Sequence, residues 1–234
     1  MQPEVRPTGA YRPVTIEQLS PARQRVLRNT YLLLALTMVP TVIGAFAGIA
    51  TASVFFTHPV ASTLIAFAGI FAIQYGIIAN RNSGVGVALL LLMTFLLGWW
   101  LGPILSIALK MSNGTQLIGL AAGGTAVVLL VMSSIATTSK RDFGFMGKFL
   151  LTGMVILIVA MFANLFLHIP ALALTISAAA VVVFSLFLLY EVSRIVNGGE
   201  DNYIVATTGV YLSLYNVFVN LLYLLMALMG NDRR

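Results

Sequence analysis

Cysteine is absent from the 234 residues, so the chain can form neither a disulfide nor a thiolate metal site. Charge is scarce as well. Asp, Glu, Lys and Arg make up 9% of the chain, against about 25% in an average soluble domain. Hydrophobic residues make up 59% and the mean hydropathy is +0.98. Those values exclude an ordinary soluble fold and point to a polytopic membrane protein. Catalytic signatures are missing too: there is no HExxH, no nucleophile elbow, no Walker motif and no Cys/His metal pattern. No catalytic residue, metal ligand set or cofactor is expected, and the reading is of a protein that is not an enzyme. The first 29 residues lack an apolar core long enough for a cleavable signal peptide.

What is present divides into a tail and a membrane domain. Residues 1–29 hold Pro3, Pro7, Pro13 and Pro21 together with Arg6, Arg12, Arg23, Arg25 and Arg28. Proline at this density resists regular structure, so a disordered tail ending in a short basic, partly helical run is expected. Residues 30–234 form the membrane domain. Apolar segments lie at about 30–52, 59–79, 84–109, 116–138, 148–168, 171–190 and 203–229, each near the roughly 20 residues that span a bilayer. The fold class is therefore all-α, with seven transmembrane helices. The breaks carry turn residues, as in Asn80-Arg81-Asn82-Ser83-Gly84 and Ser112-Asn113-Gly114. No connection is long enough to hold a separate active site.

Lys and Arg in short loops set orientation. With the N-terminus inside, only Lys110, Arg233 and Arg234 fall outside; every other lysine and arginine falls inside. A cytoplasmic N-terminus and a periplasmic C-terminus follow. The bias also accounts for the net charge of +6 without nucleic acid.

The most informative stretch is the last third. Gly209, Ser213, Asn216 and Asn220 recur at offsets of four, three and four, which puts them on one helical stripe. An unpaired amide in hydrocarbon costs several kcal/mol. This helix should therefore be surrounded by others, with its stripe turned toward Glu191 or a wet cavity. Glu191 is the one carboxylate near hydrocarbon depth, and intramembrane ionisable groups are functional candidates. It either faces a polar path or pairs with Arg194, three residues on. Glu200 and Asp201 read as a solvated acidic turn, with Asp201 or Asn202 capping the last helix. Pro103 should kink the third segment. Gly44 with Gly48, Gly98 with Gly102, and Gly119 with Gly123 should pack inside the bundle. His58 and His168 read as interfacial turn residues.

Several motifs in order resemble the Bax inhibitor-1 family of seven-helix proteins. They are GWWLGPI (Gly98 to Ile104), AGGTAVV (Ala122 to Val128), SKRDFGFMGKFL (Ser139 to Leu150) and SLFLLYEVSRI…YLSLYNVFVNLL near the C-terminus. VLRNTYLLLALT, ANLFLHIPALALTISA and NGGEDNYI are similar to its bacterial YccA-like branch. The resemblance implies a bundle in which the seventh helix is enclosed by the other six. It implies an inner-membrane protein that associates with the AAA+ protease FtsH and restrains it. It also implies, as the alternative, a pH-sensitive calcium leak in which protons are shared by two acids. Carried over to this chain, the sixth-helix acid falls on Glu191 and the seventh-helix acid on Ser213, while Asn216 and Asn220 match family asparagines. Serine cannot share a proton as a carboxylate does, and calcium prefers several carboxylate oxygens. An acid-paired latch is therefore expected to be absent or weak. Glu191, Arg194, Ser213, Asn216 and Asn220 stand as the candidate ion-path or pH-sensing residues.

Overall fold

Hydrocarbon offers no partner to a backbone N–H or C=O, so a chain this apolar must satisfy its backbone within helices. The computed structural model describes residues 20–57, 59–139 and 141–230, and every regular element among them is helical. The tail up to residue 19, His58, Lys140, Arg233 and Arg234 lie outside the described residues. In order the helices are α1 (Pro21–Ala50), α2 (Ala52–Thr57), α3 (Pro59–Ala79), α4 (Gly84–Trp100), α5 (Gly102–Lys110), α6 (Gly114–Thr138), α7 (Met146–Leu167), α8 (Pro170–Asn197) and α9 (Tyr203–Met229). Seven spans among the described residues are long and apolar enough to cross a membrane, with α4 and α5 counting as one and α2 as none. The chain is a multi-pass membrane protein.

Two boundaries differ from the sequence expectation. The first helix starts at Pro21, not near residue 30, so Arg23, Arg25 and Arg28 are helical. Proline at the first helical position explains this, because its missing N–H would have had no partner there in any case. The third span is interrupted, not merely bent: the helix breaks at Leu101, and Pro103 lies in the first turn of α5. Leu101 N–H is shared between Leu97 O and Gly98 O at 3.2 and 3.0 Å, a local tightening at the break.

Packing is tightest where side chains are missing. A Cβ at Gly44 would fall on the Phe95 carbonyl, one at Gly48 on the Trp99 carbonyl, and one at Gly98 on the Thr41 carbonyl. Gly102 lies directly on the backbone of Gly48. α1 therefore meets α4 and α5 backbone to backbone, in the small-residue mode of membrane helices. The third glycine pair behaves otherwise. Gly119 and Gly123 of α6 have nothing within 4 Å of a Cβ position, so they do not pack inside the bundle as expected.

α9 packs broadly on α8, α6 and α1 and touches α3, α4 and α5, while α7 packs mainly on α8. Tyr211 of α9 shows how polar groups cross this interior. Its hydroxyl lies 2.8 Å from Thr41 Oγ1 of α1 and donates to Thr94 O of α4 at 3.4 Å. Thr207 adds a second link to α1, donating to Thr30 O at 3.3 Å.

Candidate functional site

The site residues read from the sequence lie on α8 and α9. α8 sets Glu191 against α9 at Gly209, the first position of the polar stripe. A Cβ at Gly209 would lie 2.7 Å from Glu191 Cδ, so glycine leaves room there for a carboxylate. One turn along α8, Arg194 Nη1 is 3.5 Å from Glu191 Oε2. Its Nη2 donates to Glu200 Oε2 at 3.0 Å and to the Gly199 carbonyl at 3.2 Å. The side chains of Glu191, Arg194 and Glu200 are 15%, 29% and 8% exposed, so this cluster is largely withdrawn from its surroundings. Two carboxylates share one guanidinium, which leaves an unbalanced negative charge when both are ionised.

Glu200 is the member that the sequence reading placed elsewhere, in a solvated turn. The physical reason for the correction is the ending of α8. Gly198 adopts φ 81, and Gly199 N–H reaches back to Arg194 O at 2.7 Å. This left-handed helix ending folds the chain back on itself and carries Glu200 onto Arg194. The Gly198-Gly199 pair, four and three residues before the α9 cap Asn202, was the available signal. Gly198 also receives the Arg23 side chain from α1, whose Nη1 donates to Val196 O at 3.2 Å. A cation at the C-terminal end of a helix meets its exposed carbonyls and negative dipole end.

Other connections converge on the same end. Asn202 caps α9 by accepting from Ile204 and Val205 N–H at 3.0 and 3.1 Å. Its amide donates to Arg81 O and Asn82 Oδ1, each at 2.8 Å, which fastens the α3–α4 turn. Ser193 Oγ accepts from Phe143 N–H at 3.1 Å, which fastens the α6–α7 connection. The start of α1, the α3–α4 and α6–α7 turns and the α8–α9 turn thus form one hydrogen-bonded plate around the end of α8.

Further along α9 the stripe is quieter. Ser213 is buried, and it follows Gly209 by one turn, so it is Gly209 and not Ser213 that stands against Glu191. Asn216 and Asn220 are half-buried and donate to Leu212 O and Asn216 O, each at 2.8 Å. Both amides turn their donors back on their own helix, which is how an amide enters an apolar interior without a foreign partner. The structure brings Glu191 and Arg194 together; no hydrogen bond among the described residues joins Ser213, Asn216 or Asn220 to them. Three residues beyond Asn220, Tyr223 lines a cavity of about 520 Å³ with Asn164, His168 and Thr63. His168 ends α7 in the left-handed region at φ 53, with Nδ1 2.9 Å from Phe166 O. The α8–α9 seam therefore runs from a buried charge cluster at one end to a mostly apolar cavity edged by Asn164, His168 and Tyr223 at the other. No three His, Cys, Asp or Glu side chains among the described residues gather as metal ligands.

Comparison with known proteins places this geometry. Residues 23–231 match the family described as "Inhibitor of apoptosis-promoting Bax1". The chain is 40% identical over 202 residues to the Escherichia coli K12 protein named "Modulator of FtsH protease YccA", covering 86% of this chain and 89% of that one. It is 43% identical over 215 residues to an uncharacterized protein of Neisseria meningitidis, covering 90% and 94%. It is 38% identical over 208 residues to an uncharacterized membrane protein of Vibrio cholerae, covering 89% and 92%.

Proposed function

Because this chain belongs to the Bax inhibitor-1 family, we propose that it is an inner-membrane regulator that binds and restrains an FtsH-type membrane protease. The observation that carries this reading is the 40% identity along most of both chains with the E. coli modulator of FtsH. The strain-CFT073 counterpart of that modulator is named an inner membrane protein, which supports the location. Lys and Arg gather at the end of the bundle where α1 begins, and the positive-inside rule assigns that end to the cytoplasm, with the C-terminus periplasmic. The plate around α8 then faces the compartment in which a AAA+ protease has its ATPase. Residues 1–19, which precede α1, have the composition of an unstructured tail, which suits capture by an unfoldase because little local structure must be broken first.

The test is co-purification with FtsH from detergent-solubilised membranes, joined to half-lives of FtsH membrane substrates with the protein overproduced or deleted. Recovery of FtsH and longer substrate half-lives on overproduction are expected. No recovery together with unchanged half-lives overturns the reading. Removing residues 2–19 should lengthen the protein's own half-life only in cells that contain the protease.

A second reading, a cation leak of the pH-sensitive calcium type, draws on one observation: Glu191 seats on Gly209 at the head of a seam that carries Ser213, Asn216 and Asn220. In that reading Glu191, held by Arg194, is the closure. Gly209→Ala would push the carboxylate off α9 and raise calcium entry into liposomes, and Glu191→Gln would change its dependence on protons. Entry no greater than into empty liposomes, for wild type and both variants, removes the leak.

A further inference from the structure

α1 and α6 scarcely touch. One hydrogen bond spans the gap between them, from Tyr31 Oη to Ser133 Oγ at 2.8 Å. Beyond it, away from the arginine-rich end, lies an apolar groove of about 540 Å³. Its walls include Ala35 and Met38 of α1 and Ala122 and Ala126 of α6, and its floor is Leu214 and Phe218 of α9. In water such a hollow would tend to close. In a bilayer nothing closes it, because lipid tails are as apolar as the lining. Its occupant is therefore an acyl chain or another helix, and the charge at its mouth decides between them.

The groove-lining positions of α1 run Tyr31, Ala35, Met38 and Val42 at helical spacing. One turn before Tyr31 on α1 stands Arg28, beside this stripe, and one turn before that, rotated further from it, stands Arg25. Both are exposed, and neither has an ion pair or hydrogen bond among the described residues. Arg23 differs: its guanidinium is spent on the end of α8. Across the gap α6 ends at Thr138, and Arg141 follows, exposed and with its side chain unpaired among the described residues. The neighbouring Asp142 makes no ion pair with Arg141; its Oδ1 accepts from Gly144 N–H at 2.8 Å and from Asn197 at 3.4 Å. Glu191 and Glu200 are taken by Arg194. Unpaired guanidiniums at the headgroup end of an apolar slot match a phosphate that carries an acyl chain, and guanidinium suits phosphate by its forked geometry.

We propose that the gap between α1 and α6 binds an anionic phospholipid. One acyl chain fills the groove, and the phosphate lies on Arg25 and Arg28 with Arg141 across from them. A neutral helix of a partner would fill the same slot but leave the arginines unanswered. The bound lipid would complete the α1–α6 contact that the protein itself leaves open, so its loss should be read as lower stability.

The test uses the full chain, purified and stripped of lipid in mild detergent. Phosphatidylglycerol and phosphatidylethanolamine with the same acyl chains are added separately, and thermal unfolding and native mass spectrometry are read. One retained phosphatidylglycerol and a larger rise in unfolding midpoint than with phosphatidylethanolamine are expected. The double variant Arg25→Gln/Arg28→Gln should lose that preference by about fivefold per charge. It removes no hydrogen bond or ion pair among the described residues, so it should fold. Ala126→Trp fills the groove away from the arginines and should abolish lipid retention. Equal response to both lipids overturns the proposal, as does an unchanged preference in the double variant. Because the chain has no cysteine, Ala126→Cys can be cross-linked as the sole thiol. Near-complete dimer formation through it would give the groove to a second copy and equally overturn the proposal; labelling without dimer formation supports it.

Discussion

α1 has two faces that behave in opposite ways. Toward α4 and α5 it presents Gly44 and Gly48, and those helices answer with Gly98 and Gly102, so backbones touch. Toward α6 it presents Ala35 and Met38, and α6 answers with Ala122 and Ala126, yet a groove of about 540 Å³ stays open. Small residues occur on both faces. What separates them is register and what stands between. On the first face each glycine meets a backbone carbonyl or another glycine at its own level. On the second, α9 rises between the two helices, and the Tyr31–Ser133 bond holds them a hydrogen bond apart at one end. Small residues four apart permit close approach in a membrane but do not cause it. Gly119 and Gly123, spaced in the same way and facing open space, make the point within α6 itself.

The largest effect that would break this contrast comes from the closed face. Gly48→Leu forces a side chain onto the Trp99 carbonyl, in backbone that cannot step aside. Overpacking of this kind costs about 1–3 kcal/mol and sometimes more. A sharply lower yield of monodisperse protein in size-exclusion chromatography is expected; wild-type yield would show that α1 and α4 are not in backbone contact. Next comes the charged end of α8. Arg194→Ala leaves Glu191 and Glu200 without their shared partner and should cost about 1–3 kcal/mol, read as a lower unfolding midpoint. Arg194→Lys should recover only part of this, since an ammonium cannot serve two carboxylates with a fork. Tyr31→Phe removes the hydrogen bond that bridges the open face and should cost about 1 kcal/mol. Smallest of all, Gly119→Leu should shift stability by no more than about 0.5 kcal/mol, because nothing lies within 4 Å of the added Cβ. If Gly119→Leu proves as damaging as Gly48→Leu, α6 has a close partner in the membrane and the distinction between the faces fails.

The site was legible in part. The offsets of Gly209, Ser213, Asn216 and Asn220 placed a polar stripe on one face of α9, and Glu191 stands at the head of it, on Gly209. Its pairing with Arg194 was one of two alternatives that the sequence left open, the other being a polar path; the structure has the two side chains 3.5 Å apart. Glu200 was not legible, because it reaches Arg194 by a reversal of the chain at Gly198 and not by helical periodicity. The resemblance put the second acid's position at Ser213, whereas the residue set against Glu191 is Gly209, one turn before it; register between two antiparallel helices is set by how they slide together. Asn216 and Asn220 bond to their own helix, an outcome that composition does not distinguish from bonding across the seam.

By itself the sequence determined that this chain lives in a membrane, how many spans it has among the described residues, and which of them carries polar groups. Those follow from hydrophobicity and period, which act locally along the chain. Only the tertiary structure decided which glycines meet a partner, which carboxylates share an arginine, and that α1 and α6 stay apart. Each of these depends on the height of one helix against another, and in lipid that height is set by side-chain fit and hydrogen bonds between distant residues, with no hydrophobic force to impose it.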